Sequence, residues 1–443
     1  MPTFLAMQDD DYAVSQRELW RLFFPLAMSG IFFPLSRPIS NGAIARTSSP
    51  MLSLAASSVT MGVAMPFIAP LFGLKQVVTA LAVDRELLRR LARLTLSLSG
   101  LSTFLLLILA IPPVFRYAAR VVMGVPADVV ELGIPAMFVM AALPVFSVGR
   151  GYYQGILVHY GNATPIGYGA LANLLGASIA VFVAAIVLEM EGALSTAIAM
   201  LFGSVLYLVV VWWPCKPLFA HRIPRTHSSV APDKRSMRAI VSLYVPLAVS
   251  TMITTVIEPA IQIAIARAPN AMLSLAAYPV CVSIAWLTRT HISNAQQVVV
   301  ASVKNLQSYL DVRRFMHTIA GVTTVLMLLV ALPWTSAFVF GTLTGLEGEI
   351  LDFAVSGYLL LIPVPLINCG RSLYHGTLVS QGTTGGIQLA ATIRVVVLIL
   401  SLGSLVLLTE LSGLYLGLVS ILVSEIAECA SLHISVKRLP LLS

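Results

Sequence analysis

Apolar residues along this chain come in long runs, separated by short stretches rich in Pro, Gly and charge. Twelve runs approach the ~20 residues that a helix needs to cross a hydrocarbon core. They lie near 20–44, 51–74, 94–115, 132–160, 165–188, 192–213, 239–265, 272–300, 316–340, 353–379, 385–408 and 412–435. The pattern predicts an all-α polytopic membrane protein with about 12 transmembrane helices. Composition agrees: 443 residues are 58% hydrophobic and 10% charged, with a mean hydropathy of +0.91. A soluble domain carries about 25% charged residues, and no water-soluble core could hide this much apolar surface.

The chain repeats itself at a constant offset of 221 residues. Leu22–Ala56 lies over Leu243–Ala277 without a gap, with 16 of 35 positions identical. The segment GRGYYQGILVHYG (Gly149–Gly161) lies over GRSLYHGTLVSQG (Gly370–Gly382). Pro144 pairs with Pro365, Gln76 with Gln297 and Glu189 with Glu410. Each half holds six predicted helices, an even number, so both halves start on the same side of the membrane. Such a parallel repeat, about an axis along the membrane normal, predicts a substrate site between two rocking lobes. The expected domains are an N-terminal six-helix lobe (1–213), a basic cytoplasmic connector (214–238) and a C-terminal six-helix lobe (239–443).

The net charge of +8 raises the question of nucleic acid. Its placement answers it. With the N-terminus in the cytoplasm, 18 basic residues fall on that side, Lys75 among the loop charges, and four (Arg46, Arg116, Arg120, Arg267) on the other. The positive-inside rule accounts for this asymmetry and places both termini in the cytoplasm, so no nucleic-acid partner is expected. Asp9, Asp10 and Asp11 precede any long apolar run, so no cleaved secretory signal is expected. Cys215, Cys281, Cys369 and Cys429 fall in or beside predicted helices without metal-ligand spacing and read as small packing residues. No metal or other cofactor is expected.

Ionisable groups inside spanning segments are costly and are functional candidates by default. Eight stand out: Arg37, Arg150, Arg289, Arg371, Arg394, Glu258, Glu425 and Glu428. Arg37 and Glu258 are repeat-equivalent, and each precedes a proline, Pro38 and Pro259. They read either as a gate or coupling pair between the lobes or as a static ion pair that fixes lobe docking. Arg150 and Arg371 are also equivalent, each following a glycine. Their planar guanidinium forks suit an anion, and the alternative is that each arginine snorkels or bonds to carbonyls that its nearby proline frees. Glu425 and Glu428, three apart, share one helix face, and Arg394 pairs with one of them in a structural or coupling role. Arg289 and His291 face an unassigned direction. His159 and His375 read as packed residues, with a proton relay as the alternative.

These residues resemble the multidrug/oligosaccharidyl-lipid/polysaccharide (MOP) exporter superfamily. Within it the sequence looks most like the progressive ankylosis branch. The motifs that carry the likeness are PLAVSTMITTVIEPAIQIAIAR (Pro246–Arg267), YPVCVSIAWLTR (Tyr278–Arg289), PVPLINCGRSLYHG (Pro363–Gly376) and IRVVVLILSL (Ile393–Leu402). The resemblance implies a MATE-like fold of two six-helix lobes in a V and export of pyrophosphate or small organic anions. One departure is that the branch has its acidic residue in the first helix and its basic one in the seventh. Here Arg37 and Glu258 are exchanged.

The function expected is that of a secondary transporter working by alternating access and exporting an anionic solute, with H+ or Na+ as candidate coupling ions. A flippase for a lipid-linked pyrophosphate saccharide is the alternative, and a MATE-type multidrug antiporter the third. No HExxH, GxSxG set or phosphate-binding glycine loop points to an enzyme. The expected setting is the plasma (inner) membrane, as a monomer in contact with the bilayer.

Overall fold

Helices form at every one of the twelve apolar runs. The computed structural model describes residues 13–44, 50–122, 127–224, 236–254, 257–265, 267–342 and 348–439. The first half contains α1 (Gln16–Ile44), α2 (Pro50–Ile68), α3 (Leu74–Leu81), α4 (Arg85–Ala110), α5 (Pro112–Arg116), α6 (Ala127–Met140), α7 (Leu143–His159), α8 (Thr164–Phe182), α9 (Gly192–Trp212) and α10 (Cys215–His221). The second contains α11 (Met237–Thr254), α12 (Ile257–Ile265), α13 (Ala271–Ser302), α14 (Leu306–Ala331), α15 (Pro333–Ser336), α16 (Glu349–Leu360), α17 (Val364–Ser380), α18 (Gly385–Leu408) and α19 (Gly413–Lys437). No strand occurs among the described residues. In hydrocarbon only a helix satisfies its own backbone within one segment, so these apolar runs have this one solution.

Among the described residues, nine helices are long and apolar enough to cross a membrane, or ten if the bent pair Glu349–Leu360 and Val364–Ser380 is one span. The two remaining expected spans, α1 and α13, are 29 and 32 residues long. The bend of 43° between α16 and α17 falls where Pro363 and Pro365 interrupt the backbone ladder.

The repeat is visible in the element bounds. Helices α4 and α14, α7 and α17, α8 and α18, and α9 and α19 each start 221 residues apart. Equivalent positions do equivalent work. Asp84 caps α4 by accepting from the Leu87 amide, and Asn305 caps α14 by accepting from the Ser308 amide. Gly161 and Gly382 end α7 and α17 in left-handed turns, at φ 71° and 72°. Gly192 packs against Ile44 and Ser53, and Gly413 against Ile265 and Ser274, the same two positions one repeat later.

The chain forms two compact units. One is Arg21–Ala248, and the other joins Met1–Trp20 to Val249–Ser443. The N-terminal segment is tied into the second unit by Asp311. Its Oδ2 accepts from the Val14 amide at 3.2 Å and its carbonyl accepts from Gln16 Nε2 at 2.9 Å. Trp20 then packs edge-on against Phe315, centroids 5.1 Å apart. In the expected connector 214–238, α10 occupies the start, and residues 225–235 lie outside the described ones.

Candidate functional site

Each unit holds a polar arrangement on helices that occupy matching places in the repeat. In the unit Arg21–Ala248, helices α3 and α7 approach to near backbone contact. Gly155 makes this possible, since a Cβ there would stand 2.8 Å from Val78 Cβ and 2.9 Å from the Lys75 carbonyl. Gly376 has the same role in the second unit, against Val299. The close approach sets Lys75, in the first turn of α3, beside Arg150 of α7.

Lys75, Arg150 and the buried Gln154 line one cleft of about 50 Å³, completed by Ser147, Gly151 and apolar neighbours. Among the described residues, none that lines it is acidic. The Arg150 guanidinium lies over the ring of Tyr207 in α9, 4.7 Å from the centroid. Gly169 of α8 leaves the room this ring occupies. Lys75, expected among the cytoplasmic loop charges, does not lie in a loop. It is helical, inside the apolar stretch Val59–Leu81.

The second unit carries a five-residue ionic cluster. Arg394 of α18 bridges both carboxylates of α19, with Nη1 3.0 Å from Glu428 Oε2 and Nη2 3.3 Å from Glu425 Oε1. Arg289 of α13 reaches Glu425 Oε1 at 3.6 Å. Arg371 of α17 reaches Glu428 Oε1 at 3.8 Å and donates from Nε to Asn368 Oδ1 at 3.2 Å. Both carboxylates are buried, with side-chain exposures of 4% and 6%, and Arg371 is the most open of the three cations at 26%. The i, i+3 spacing puts Glu425 and Glu428 on one face of α19, and α13, α17 and α18 each turn one arginine toward that face.

The two arrangements occupy the same frame. By the offset of 221, Arg371 corresponds to Arg150 and Glu428 to Tyr207. Lys75 and Gln154 correspond to Gln296 and His375, where Gln296 Nε2 lies 2.7 Å from His375 Nδ1. His159 Nδ1 lies 2.8 Å from the Thr79 carbonyl, and His291 Nε2 2.7 Å from Thr323 Oγ1. Arg37 falls in α1 and Glu258 in α12, and their side chains lie outside the described residues. Among the described residues, no group of three or more His, Cys, Asp or Glu is arranged to hold a metal ion.

No family model matches the sequence, and no curated protein matches it. Solved structures do. A multidrug-resistance MATE family transporter of the MOP superfamily in an outward-facing conformation superposes with a TM-score of 0.75, at 17% identity over 95% of both chains. The chain has the MATE transporter fold. A MOP superfamily transporter from Pyrococcus furiosus, described as having a binding pocket of reverse polarity that suggests a different function, gives a TM-score of 0.75 at 16% identity, over 95% of this chain and 96% of that one. A variant of a Vibrio cholerae MATE transporter gives 0.73 at 14% identity over 96% of each chain. The MATE-like fold therefore carries a lysine and an arginine in its N-terminal unit and an arginine-rich cluster in its C-terminal one.

Proposed function

We propose that this chain is a secondary transporter that works by alternating access and exports an anionic solute bearing phosphate or carboxylate groups. The reading rests on one observation: Lys75 and Arg150 line a single cleft with no acidic lining residue among the described ones. A guanidinium fork and an ammonium on adjoining helices fit a multidentate oxyanion, with Arg150 supplying paired donors and Lys75 a point charge. Gln154 and Ser147 add neutral polar atoms at the same cleft. A cationic drug would meet two like charges there.

The solved structures of MATE transporters support the transport reading through the fold. The motifs quoted above favour the progressive ankylosis branch, with pyrophosphate and small organic anions as the solute class. We place the protein in the plasma membrane as a monomer with both termini cytoplasmic, driven by an H+ or Na+ gradient.

The test is anion uptake into proteoliposomes by purified Arg150→Lys, Arg150→Gln and Lys75→Gln variants. Arg150→Lys keeps the charge and loses the fork, so it is expected to retain more transport than Arg150→Gln. Wild-type rates from a well-folded Lys75→Gln/Arg150→Gln double variant would remove this cleft from the account.

A further inference from the structure

The ionic cluster of the C-terminal unit does not balance. Three guanidinium groups, Arg289, Arg371 and Arg394, share two carboxylates, Glu425 and Glu428, and no other acid among the described residues joins them. One positive charge is left over within spanning helices, where an unmatched charge is strongly disfavoured.

The hydrogen bonds are also incomplete. Arg289 Nη1 and Arg394 Nε are enclosed without a hydrogen-bond acceptor, and Glu425 Oε2 is enclosed without a donor, so two donors stand against one acceptor. The nearest carboxylate oxygen to Arg289 Nη1, Glu425 Oε1 at 3.6 Å, is beyond hydrogen-bond reach. Buried donors of this kind are normally paired.

Nor does helix packing require the cluster. The repeat places Ile68, Arg150, Asn173, Ser204 and Tyr207 at the positions of Arg289, Arg371, Arg394, Glu425 and Glu428. Helices α8 and α9 pack as α18 and α19 do, with one charge at those five positions in place of five. A frame that closes without the ionic network has no structural need of it.

We propose that the cluster is a binding site for one small monovalent inorganic anion of the chloride class, separate from the cleft at Lys75 and Arg150. The class follows from the chemistry. The surplus is a single charge, so one monovalent ion neutralises it. Glu425 and Glu428 repel a polyanion, and the arginines offer N–H donors without requiring a fixed ligand geometry. Arg371, the most open cation and the one with the longest ion contact, is where the ion enters.

The experiment uses the purified full-length protein in detergent at one pH and constant ionic strength. Thermal midpoints are read as sodium chloride replaces sodium gluconate, alongside equilibrium binding of radiolabelled chloride. The wild type is expected to show a saturable rise in midpoint and bound chloride approaching one ion per chain. Arg371→Gln, which removes the surplus, is expected to abolish both, Arg371→Lys to retain them, and Glu428→Gln, which enlarges the surplus, to bind chloride more tightly. Arg150→Gln is expected to leave the chloride response intact. Midpoints indifferent to chloride with no bound label in the wild type overturn the proposal, whatever solute is transported. A chloride response that survives in folded Arg371→Gln and vanishes in Arg150→Gln overturns it as well, because the ion then sits in the other cleft.

Discussion

Tyr207 and Glu428 stand at the same position of the repeat, and each faces the arginine of its own half, Arg150 or its repeat mate Arg371. Arg150 lies over the Tyr207 ring at 4.7 Å, and Arg371 meets the Glu428 carboxylate at 3.8 Å. One duplicated frame thus presents a cation backed by an aromatic face in one unit and a cation held by an acid in the other. In the proposed transport role, that difference sets how much positive charge each unit offers to a ligand. A ring face leaves the guanidinium edge and its N–H donors available, whereas a carboxylate competes for them.

Exchanging that residue should exchange the property. Tyr207→Glu gives Arg150 a carboxylate partner and is expected to lower anion transport by about tenfold or more, the equivalent of ~1.4 kcal/mol of competing interaction. Tyr207→Phe keeps the ring face and is expected to stay near the wild type. Initial uptake rates in proteoliposomes, normalised to folded protein, check both. Equal rates in the two variants would mean that the group opposite Arg150 does not tune the site.

The cluster makes a ranked prediction for stability. Arg394 touches both buried carboxylates, so Arg394→Met leaves two acids short of a partner and is expected to lower the thermal midpoint most. Breaking a buried pair costs about 3–5 kcal/mol. Arg371→Gln removes a 3.8 Å contact from the most open arginine and is expected to lower it least. Melting curves of the purified variants at fixed salt give the order, and the reverse order would show that Arg371 carries the packing.

Topology gives an independent check. The basic asymmetry predicts that a reporter fused after Ser443 and one inserted in 214–238 both read as cytoplasmic. An external signal from either would break the even number of spans and the parallel repeat together.

Much of this was legible in the sequence, and the limits have physical causes. The repeat was readable because Gly155 and Gly376, Pro144 and Pro365, and Gln76 and Gln297 hold positions that apolar composition does not dictate. Glu425 and Glu428 were readable as one face from their spacing. Lys75 was not readable as a site residue, because a lysine near the end of an apolar run looks like a loop charge. Only the close approach of α3 to α7 brings it to Arg150. Tyr207 gave no signal, being one aromatic in an apolar helix. Comparing position 207 with position 428 would have raised it, since the repeat sets a tyrosine where its mate has a buried acid. The direction of Arg289 depended on the fold of α13 against α19, which no local pattern encodes.

The central claim is that this MATE-like chain moves anions, and counterflow in proteoliposomes tests it most directly. Wild-type protein is reconstituted and offered labelled pyrophosphate, small dicarboxylates and cationic drugs in parallel, with and without imposed pH and sodium gradients. The account predicts uptake of at least one of the anions, reduced in Arg150→Gln, and no uptake of the cations. Transport of the cationic drugs alone, unaffected by Arg150→Gln, would contradict it.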